Sequence, residues 1–287
     1  MANRRVTTYK IQQMKRRGAF IPMVTAYDYT AARIIDSAGL PMILVGDSMG
    51  HVVLGYDSTI PVTVDDIVSA SAAVVRGTTT PLIVADMPFL SYQIDAETAL
   101  RNAARLIQEG GAQAVKLEGG KSVAPIIRRL TEAGLAVMGH IGLTPQHVNM
   151  LGGYRVQGKT ETTANEILDD ALSLQEAGVF SVVLELIPAE LAKKITKALD
   201  IPTIGIGAGI HCDGQIQVFH DMLGLDPDFR PRHSGEYANL APIIKDALVQ
   251  YGKDVREGTF PTDAQSFFSD ESRVATPIRD AFEPDNK

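Results

Sequence analysis

Short apolar runs rich in β-branched residues recur along the chain, and each has the length of a β-strand. They cover residues 20–25, 42–45, 82–85, 114–117, 136–138, 181–184 and 203–206, with a weaker candidate at 217–223. Each run is apolar throughout instead of alternating, which is typical of strands covered on both faces in a parallel sheet flanked by helices. The pattern therefore predicts seven or eight parallel strands.

Segments with the apolar spacing of amphipathic helices separate these runs, for example at residues 64–71, 96–107 and 164–172. Two pairs have the spacing of a capping box at a helix start: Thr63 with Asp66, and Thr163 with Glu166. Glycines that permit a left-handed turn at a helix end come a few residues before the next strand, at Gly39, Gly110, Gly134 and Gly178. The order strand, helix, glycine, strand is repeated along the chain.

This repetition predicts an α/β fold, a closed (β/α)8 TIM barrel, with an open doubly wound sheet as the alternative. No shift in composition marks a second domain, so residues 1–267 are interpreted as a single barrel domain with a short N-terminal helix. In that helix Val6, Tyr9, Ile11 and Met14 would dock onto the barrel. Residues 268–287 are polar and contain two prolines, so we expect a flexible C-terminal extension.

The composition of the chain excludes several classes of function. The chain has 287 residues, and its net charge of -7 argues against binding to nucleic acid or to an anionic membrane surface. No apolar run approaches the roughly 18 residues of a membrane span. Six basic residues between Arg4 and Arg17 raise the alternative of a transit peptide, but strand-like sequence begins too soon after them. The lone Cys212 excludes an intrachain disulfide and favours a reducing compartment, the cytoplasm.

Ionisable residues cluster where the predicted strands end, which in a barrel enzyme is where the chemistry lies. They are Asp47, Ser48, Asp86, Lys116, Glu118, His140 and Glu185. A single Asp after a strand is more often a helix cap or a loop residue than a ligand. Several acids beside apolar neighbours are different, because an unpaired buried carboxylate is costly and a bound cation would relieve that cost.

Carboxylates without cysteine form a hard oxygen site that suits Mg²⁺ or Mn²⁺ better than zinc. Asp47, Asp86 and Glu118 are the expected metal shell, with one or two of them acting through water. The remaining histidines lack metal-binding spacing and are interpreted as loop or surface residues: His51, His147, His211, His220 and His233. Tyr27 and Asp28 follow the first strand and could reach the same mouth.

Two glycine-rich segments have open interpretations. Residues 143–162 form an unusually long connection, which predicts either a functional lid or a disordered loop. Tyr154, Arg155 and Lys159 on it could close over the site, although solvation of an exposed loop also explains their charges. The segment 205–209 lacks the last glycine of a dinucleotide fingerprint, so it serves either a ligand or close packing.

Several ordered motifs resemble the ketopantoate hydroxymethyltransferase family, over residues 9–267. They lie at residues 25–29, 45–48, 57–63, 85–89, 115–120, 139–146, 152–154, 184–185 and 204–209. The resemblance implies a barrel of the phosphoenolpyruvate/pyruvate type, a homo-oligomer that is usually a decamer, and small-molecule substrates. It implies transfer of a one-carbon unit from 5,10-methylenetetrahydrofolate to 3-methyl-2-oxobutanoate in pantothenate biosynthesis, with Mg²⁺ as cofactor.

The resemblance also implies roles for residues of this chain. Asp47, Asp86 and Glu118 would surround Mg²⁺, and Asp47, Ser48, Asp86 and Lys116 would contact the keto acid. Glu185 would accept the C3 proton of the keto acid, while Lys116 and His140 would balance charge. Two alternatives remain open: another Mg²⁺-dependent lyase or mutase of 2-oxo acids in the same barrel group, and a catalytically silent scaffold that only binds an ion.

Overall fold

A computed structural model describes residues 5–268 of the chain, and its strands and helices alternate as the apolar pattern predicts. The strands are β1 Ile21–Thr25, β2 Met42–Val45, β3 Leu82–Asp86, β4 Ala114–Glu118, β5 Val137–Gly142, β6 Ser181–Glu185, β7 Thr203–Ile206 and β8 Gly214–Gln217. All pair in parallel, each with the next, and β8 pairs with β1. This confirms the closed (β/α)8 barrel and excludes the open doubly wound sheet.

Helices lie between successive strands along the chain up to β7, with one helix before β1 and two after β8. They are α1 Thr8–Arg16, α2 Tyr29–Ser37, α3 Met49–Val52, α4 Val64–Arg76, α5 Ala96–Gln108, α6 Ala124–Glu132, α7 Val148–Leu151, α8 Glu161–Glu176, α9 Ala189–Ala198, α10 Phe219–Met222 and α11 Leu240–Glu257. Two short 3₁₀ helices lie at Pro145–His147 and Asp263–Gln265. Thr63 and Asp66 form the predicted capping box of α4.

Alternate strand residues point to two separate apolar cores. One set of strand residues, which includes Ile43, Ile83 and Leu117, faces the surrounding helices. The alternate set, which includes Met42 and Leu82, faces the barrel interior. Both faces of each strand are therefore covered, which explains why the strands read as continuous apolar runs.

Helix α1 closes the N-terminal end of the barrel. Val6 and Ile11 are buried in the interior core with Ile21 and Met23 of β1. Tyr9 was expected to dock as well, but it is 65% exposed because it lies on the outer face of the helix. Lys15 Nζ fixes the helix by donating to Asp213 Oδ2 at 2.9 Å, just before β8.

Two local predictions are wrong. The last strand is residues 214–217, not 217–223, because the polar Gly-Gln-Ile-Gln sequence still pairs with β1 and β7 while the following apolar residues form α10. The capping box of α8 pairs Thr160 with Thr163, not Thr163 with Glu166, so this helix begins three residues earlier than expected.

The residues up to Ala238 form one compact unit, and a second unit begins at Asn239. The second unit contains α11, an 18-residue helix that ends at Gly258 in the left-handed conformation. The single domain over residues 1–267 and the flexible extension at 268–287 stay predictions, and residues 269–287 lie outside the described part of the chain. Within residues 5–268, no helix is both long and apolar enough to cross a membrane.

Candidate active site

The strand register brings the predicted charged residues together at the C-terminal end of the barrel. Asp86, the last residue of β3, lies beside Lys116 of β4, and Glu118 lies beside His140 of β5. Lys116 and Glu118 continue the inward-facing row that Ala114 begins. The charged groups therefore replace apolar ones in the last inward-facing layer of the barrel.

These groups form a dense network with almost no solvent exposure. Lys116 Nζ lies 2.6 Å from Asp86 Oδ1 and 3.7 Å from Glu118 Oε1, and the three side chains are at most 4% exposed. The backbone N–H of Asp47 donates to Asp86 Oδ2 at 3.3 Å, which sets the two aspartates side by side. The structure thus unites Asp47, Asp86, Lys116 and Glu118, which are among the residues predicted to hold the metal and the keto acid.

Burial and the interactions between neighbouring charges shift the pKa values of the side chains in this network. Burial raises the pKa of Asp47 well above its usual value, and the neighbouring carboxylates Asp86 and Glu118 raise it further. Burial also raises the pKa of Asp86, although Lys116 opposes the shift. Burial opposes ionisation of Glu118, but His140, Lys116 and a backbone donor outweigh it and lower the pKa of Glu118. Attraction to the three carboxylates overcomes burial and raises the pKa of Lys116.

Gln146, which sequence reasoning left without a role, joins two of the carboxylates. Its Nε2 donates to Asp47 Oδ2 at 2.9 Å, and its backbone N–H donates to Glu118 Oε2 at 3.0 Å. The Tyr92 hydroxyl lies 2.9 Å from Gln146 Oε1 and accepts from the Glu118 N–H at 3.1 Å. Gln146 and Tyr92 are 1% and 0% exposed. In the sequence, Gln146 was visible only as the last residue of the 139–146 motif, and Tyr92 had no signal beyond being a polar residue.

His140 stands between the network and Glu185. Its Nδ1 lies 3.4 Å from Glu118 Oε1 and its Nε2 lies 3.1 Å from Glu185 Oε2. Neither contact has good hydrogen-bond angles, so the two are close charge contacts and not aligned hydrogen bonds. Burial and Lys116 lower the pKa of His140, but the two glutamates outweigh them and raise it to about 9.

The backbone around Glu185 is tightly constrained. Gly142 has φ 93°, and a Cβ there would lie 2.3 Å from the carbonyl oxygen of Glu185. The same carbonyl accepts from the Leu143 N–H at 2.8 Å. Leu186 adopts φ 45°, a left-handed conformation that costs free energy for a residue other than glycine. Backbone strain of this kind is concentrated at functional sites. These contacts hold the end of β6, and with it the Glu185 side chain, which is 14% exposed.

The donor set suits a hard divalent cation. Four carboxylates (Asp47, Asp86, Glu118 and Glu185) stand against two cationic side chains, Lys116 and His140, so two negative charges remain uncompensated if all are ionised. Oxygen donors and excess negative charge are what Mg²⁺ requires. Within the described residues, however, no group of three or more His, Cys, Asp or Glu side chains converges closely enough to hold an ion directly. The assignment of Asp47, Asp86 and Glu118 to a metal therefore stays a prediction.

A cavity of about 580 Å³ opens above the network and is lined by all seven predicted site residues. Ser48 Oγ lies 2.9 Å from the hydroxyl of buried Tyr27, so Tyr27 contacts a residue of the mouth but does not line the cavity itself. Asp28 does not, because its carboxylate caps α2 by accepting from the Ala31 N–H. The volume is within the range of ~300–1,000 Å³ typical of ligand sites and exceeds what a small keto acid fills.

The long connection of residues 143–162 is ordered into a 3₁₀ turn and α7, and its Gln157 N–H donates to the Leu186 carbonyl at 2.9 Å. Tyr154 lines the cavity and lies 3.1 Å from His51 Nε2, whereas Arg155 and Lys159 are exposed to solvent. His51 and His233, interpreted as loop or surface residues, also line the cavity. In the 205–209 segment the glycines allow close packing, since a Cβ at Gly207 would lie 2.7 Å from Leu186 Cδ2.

Two solved structures with the same fold are distant in sequence. Phosphonopyruvate hydrolase, in a complex with oxalate and Mg²⁺, aligns with a TM-score of 0.58 at 12% identity, covering 92% of each chain. 2,3-Dimethylmalate lyase, a member of the PEP mutase/isocitrate lyase superfamily, aligns with a TM-score of 0.57 at 15% identity, covering 91% of each chain. At these identities the likeness establishes the closed (β/α)8 barrel fold and nothing more.

Relatives in sequence are much closer. A 3-methyl-2-oxobutanoate hydroxymethyltransferase of Chloroflexus aurantiacus is 59% identical over 274 residues, covering 96% of this chain and 97% of its own. The enzyme of the same name from Moorella thermoacetica is 56% identical and is covered completely. The family described as ketopantoate hydroxymethyltransferase matches residues 5–263. Together with the carboxylate site at the barrel mouth, this match establishes that the chain belongs to the ketopantoate hydroxymethyltransferase family.

Proposed function

We propose that this protein transfers a hydroxymethyl group from 5,10-methylenetetrahydrofolate to 3-methyl-2-oxobutanoate, giving 2-dehydropantoate (ketopantoate). The single observation that supports this most strongly is the His140 bridge. It links a buried carboxylate–lysine network, suited to a 2-oxo acid and a cation, to the partly exposed carboxylate of Glu185. The name carried by relatives up to 59% identical agrees with that chemistry.

Glu185 is the proposed base. Its carboxylate lines the cavity beyond His140, so it can reach a substrate carbon while the polar end of that substrate contacts the network below. Removal of the C3 proton creates negative charge, which spreads to the keto oxygen. His140 balances the proton-accepting carboxylate, and its raised pKa of about 9 keeps the imidazole cationic at neutral pH.

Lys116 and the aspartates bind the keto acid end. The Lys116 ammonium supplies positive charge, Ser48 supplies a hydroxyl at the edge of the cavity, and Asp47 and Asp86 supply oxygen ligands. Mg²⁺ bound among these carboxylates would polarise the keto and carboxylate oxygens of the substrate and so make its C3 proton more acidic. Gln146 holds Asp47 and Glu118 in place for this task.

The carbon acid, once deprotonated, attacks the methylene carbon of the folate, forming the new C–C bond as one C–N bond of the five-membered ring breaks. Water then replaces the remaining nitrogen on that carbon, giving the hydroxymethyl product and tetrahydrofolate. The cavity has room for this second substrate beside the first, on the side lined by β7, β8 and the residues that follow them. A lyase or mutase of 2-oxo acids would need no such second compartment. The family match and this extra volume therefore favour the transferase over that alternative.

We also propose that the protein acts in the cytoplasm as a homo-oligomer, a decamer by its resemblance to the family. The single cysteine, Cys212, is buried and free, which fits a reducing compartment. Helix α11 exposes apolar side chains at Ile243, Ile244, Leu248, Val249, Tyr251 and Val255, and a surface of this kind is typical of subunit contacts.

One experiment separates the competing activities. The protein is incubated with 3-methyl-2-oxobutanoate in D₂O, with and without Mg²⁺, before methylenetetrahydrofolate is added. We expect Mg²⁺-dependent deuterium uptake at C3, followed by ketopantoate once folate is present. Cleavage or rearrangement without folate would establish a lyase or mutase, and no turnover with any metal would leave only the scaffold.

A further inference from the structure

The cavity has a second half that the keto acid does not need. In the closed ring, β8 lies across from β4, so the segment after β8 faces Lys116 and Glu118 from the opposite side of the mouth. Apolar side chains line this half, among them Leu186, Ile206, Ile216 and Val218. Such walls fit a flat, largely uncharged ring system.

One buried carboxylate stands in this half. Asp221 lines the cavity and is 8% exposed, yet no residue in the described part of the chain donates a hydrogen bond to its side chain. Burial, with a smaller contribution from the charge of Asp226, raises its pKa to about 6. A carboxylate that is buried and ionised at neutral pH without donors is destabilising unless a ligand supplies them.

Tyr27 connects this carboxylate to the keto acid end. Its hydroxyl contacts Ser48, and the charges of Asp221 and Asp47 both add to the burial that raises its pKa. Asp221 and the carboxylates of the keto acid end line one cavity. A ligand held at Asp221 can present an atom to a substrate held at Lys116.

We propose that the β7–β8 half of the cavity binds the pterin ring of reduced folate, with the Asp221 carboxylate accepting two hydrogen bonds from its N3–H and 2-amino groups. This inference rests on the proposed function, which supplies the folate. The two donors on that edge of the ring are adjacent and parallel, so they match the two oxygens of a carboxylate. The apolar residues Ile206, Ile216 and Val218 cover the ring, and the match is lost if either the carboxylate or the 2-amino group is removed.

The test compares two proteins with two ligands by calorimetry. For wild type, tetrahydrofolate should bind at least about tenfold more tightly than 2-deaminotetrahydrofolate, as expected for loss of a charge-assisted hydrogen bond. For Asp221→Asn the affinity for tetrahydrofolate should fall by about tenfold or more, and the affinity for the deamino analogue, which keeps only the N3–H donor, should fall by a smaller factor. Equal losses for both ligands, or no loss for either, would overturn the assignment.

Kinetics supply the second readout. Asp221→Asn should raise the KM for methylenetetrahydrofolate about tenfold or more, and should leave the KM for the keto acid and the folate-independent deuterium exchange at C3 unchanged. Asp228→Asn, an exposed aspartate on the same segment that does not line the cavity, is the matched control and should behave as wild type. A loss of deuterium exchange in Asp221→Asn would place Asp221 in the chemistry of the keto acid instead.

Failure of this inference is distinguishable from failure of the proposed function. If wild type neither binds tetrahydrofolate nor forms ketopantoate, the proposed function is wrong and the inference falls with it. If wild type does both and discriminates against neither the deamino ligand nor Asp221→Asn, only the inference is wrong. The wild-type comparison of the two ligands decides the matter even if the variant does not fold.

Discussion

The two ends of the barrel interior are built from the same strands and have opposite chemistry. At the N-terminal end the inward-facing side chains are apolar, and Val6 together with Ile11 of helix α1 covers them. At the C-terminal end, the next inward-facing positions on the same strands carry Asp86, Glu118 and Glu185, under an open cavity. One end thus contributes stability, and the other retains buried charge that has no structural use.

The difference teaches how the fold tolerates an unfavourable site. Buried carboxylates cost free energy, so they are held by a scaffold that is apolar elsewhere and by donors such as Gln146. If this division is correct, substitutions at the charged end reduce activity more than stability, and substitutions at the sealed end do the reverse.

The largest effect is expected for Glu185→Gln. Loss of the proposed base should lower deuterium exchange at C3 and ketopantoate formation by about 10²–10⁴-fold, while the Tm remains that of wild type. Exchange is measured by proton NMR in D₂O. Glu190→Gln, on the exposed face of α9, is the control. Unchanged exchange in Glu185→Gln would remove this residue as the base.

At the sealed end, Ile11→Ala should cost about 2–4 kcal/mol of unfolding free energy, because it leaves a void among fully buried neighbours. The kcat of the folded protein should not change. Tyr9→Ala, on the exposed face of the same helix, should stay within about 0.5 kcal/mol of wild type. Denaturant titration and steady-state kinetics measure both quantities, and a kcat loss in Ile11→Ala would contradict the division between the two ends.

An intermediate effect is expected for Gln146→Met, which removes the donor to Asp47 and keeps the side-chain length. We expect kcat/KM to fall about 10–100-fold and the Mg²⁺ requirement to rise, with a loss of about 1–3 kcal/mol in stability. Gln215→Met provides the control, since Gln215 is exposed and its amide donates only to the Gly209 carbonyl. A stability loss without any change in Mg²⁺ requirement would make Gln146 a purely structural residue.

The smallest effect concerns pH. Folding raises the pKa of Asp221 from 3.8 to about 6, so the folded state binds more protons than the unfolded state in that interval. Stability should therefore fall as pH rises from about 4 to about 6, by about 1–2 kcal/mol after allowing for water in the cavity. Asp221→Asn should abolish this component in denaturant titrations at successive pH values. An identical pH profile in both proteins would exclude Asp221 as its source.

Much of the architecture was predictable because it depends on local patterns. Continuous apolar strands and the Thr63 capping box are properties of neighbouring residues, and the structure has both. The strand at 214–217 could not be predicted in this way, because it has little apolar character of its own and forms by pairing with β1 and β7.

The residues of the candidate site show the same contrast between what the local sequence reveals and what depends on the folded chain. The sequence alone identified four acids, because each comes at the end of an apolar run: Asp47, Asp86, Glu118 and Glu185. Gln146 and Asp221 carry no such mark, because each lies in a connection whose path over the barrel mouth depends on the folded strands.

By itself, therefore, the sequence determined the barrel, the family and the acids at its mouth, all of which follow from residue type and spacing. Only the tertiary structure decided which charges meet: Lys116 with Asp86, and His140 between Glu118 and Glu185. It also decided that Asp221 is buried with no donor among residues 5–268, across the mouth from Lys116. The reason is that distances between strands depend on register and ring closure, which bring together residues far apart in the chain.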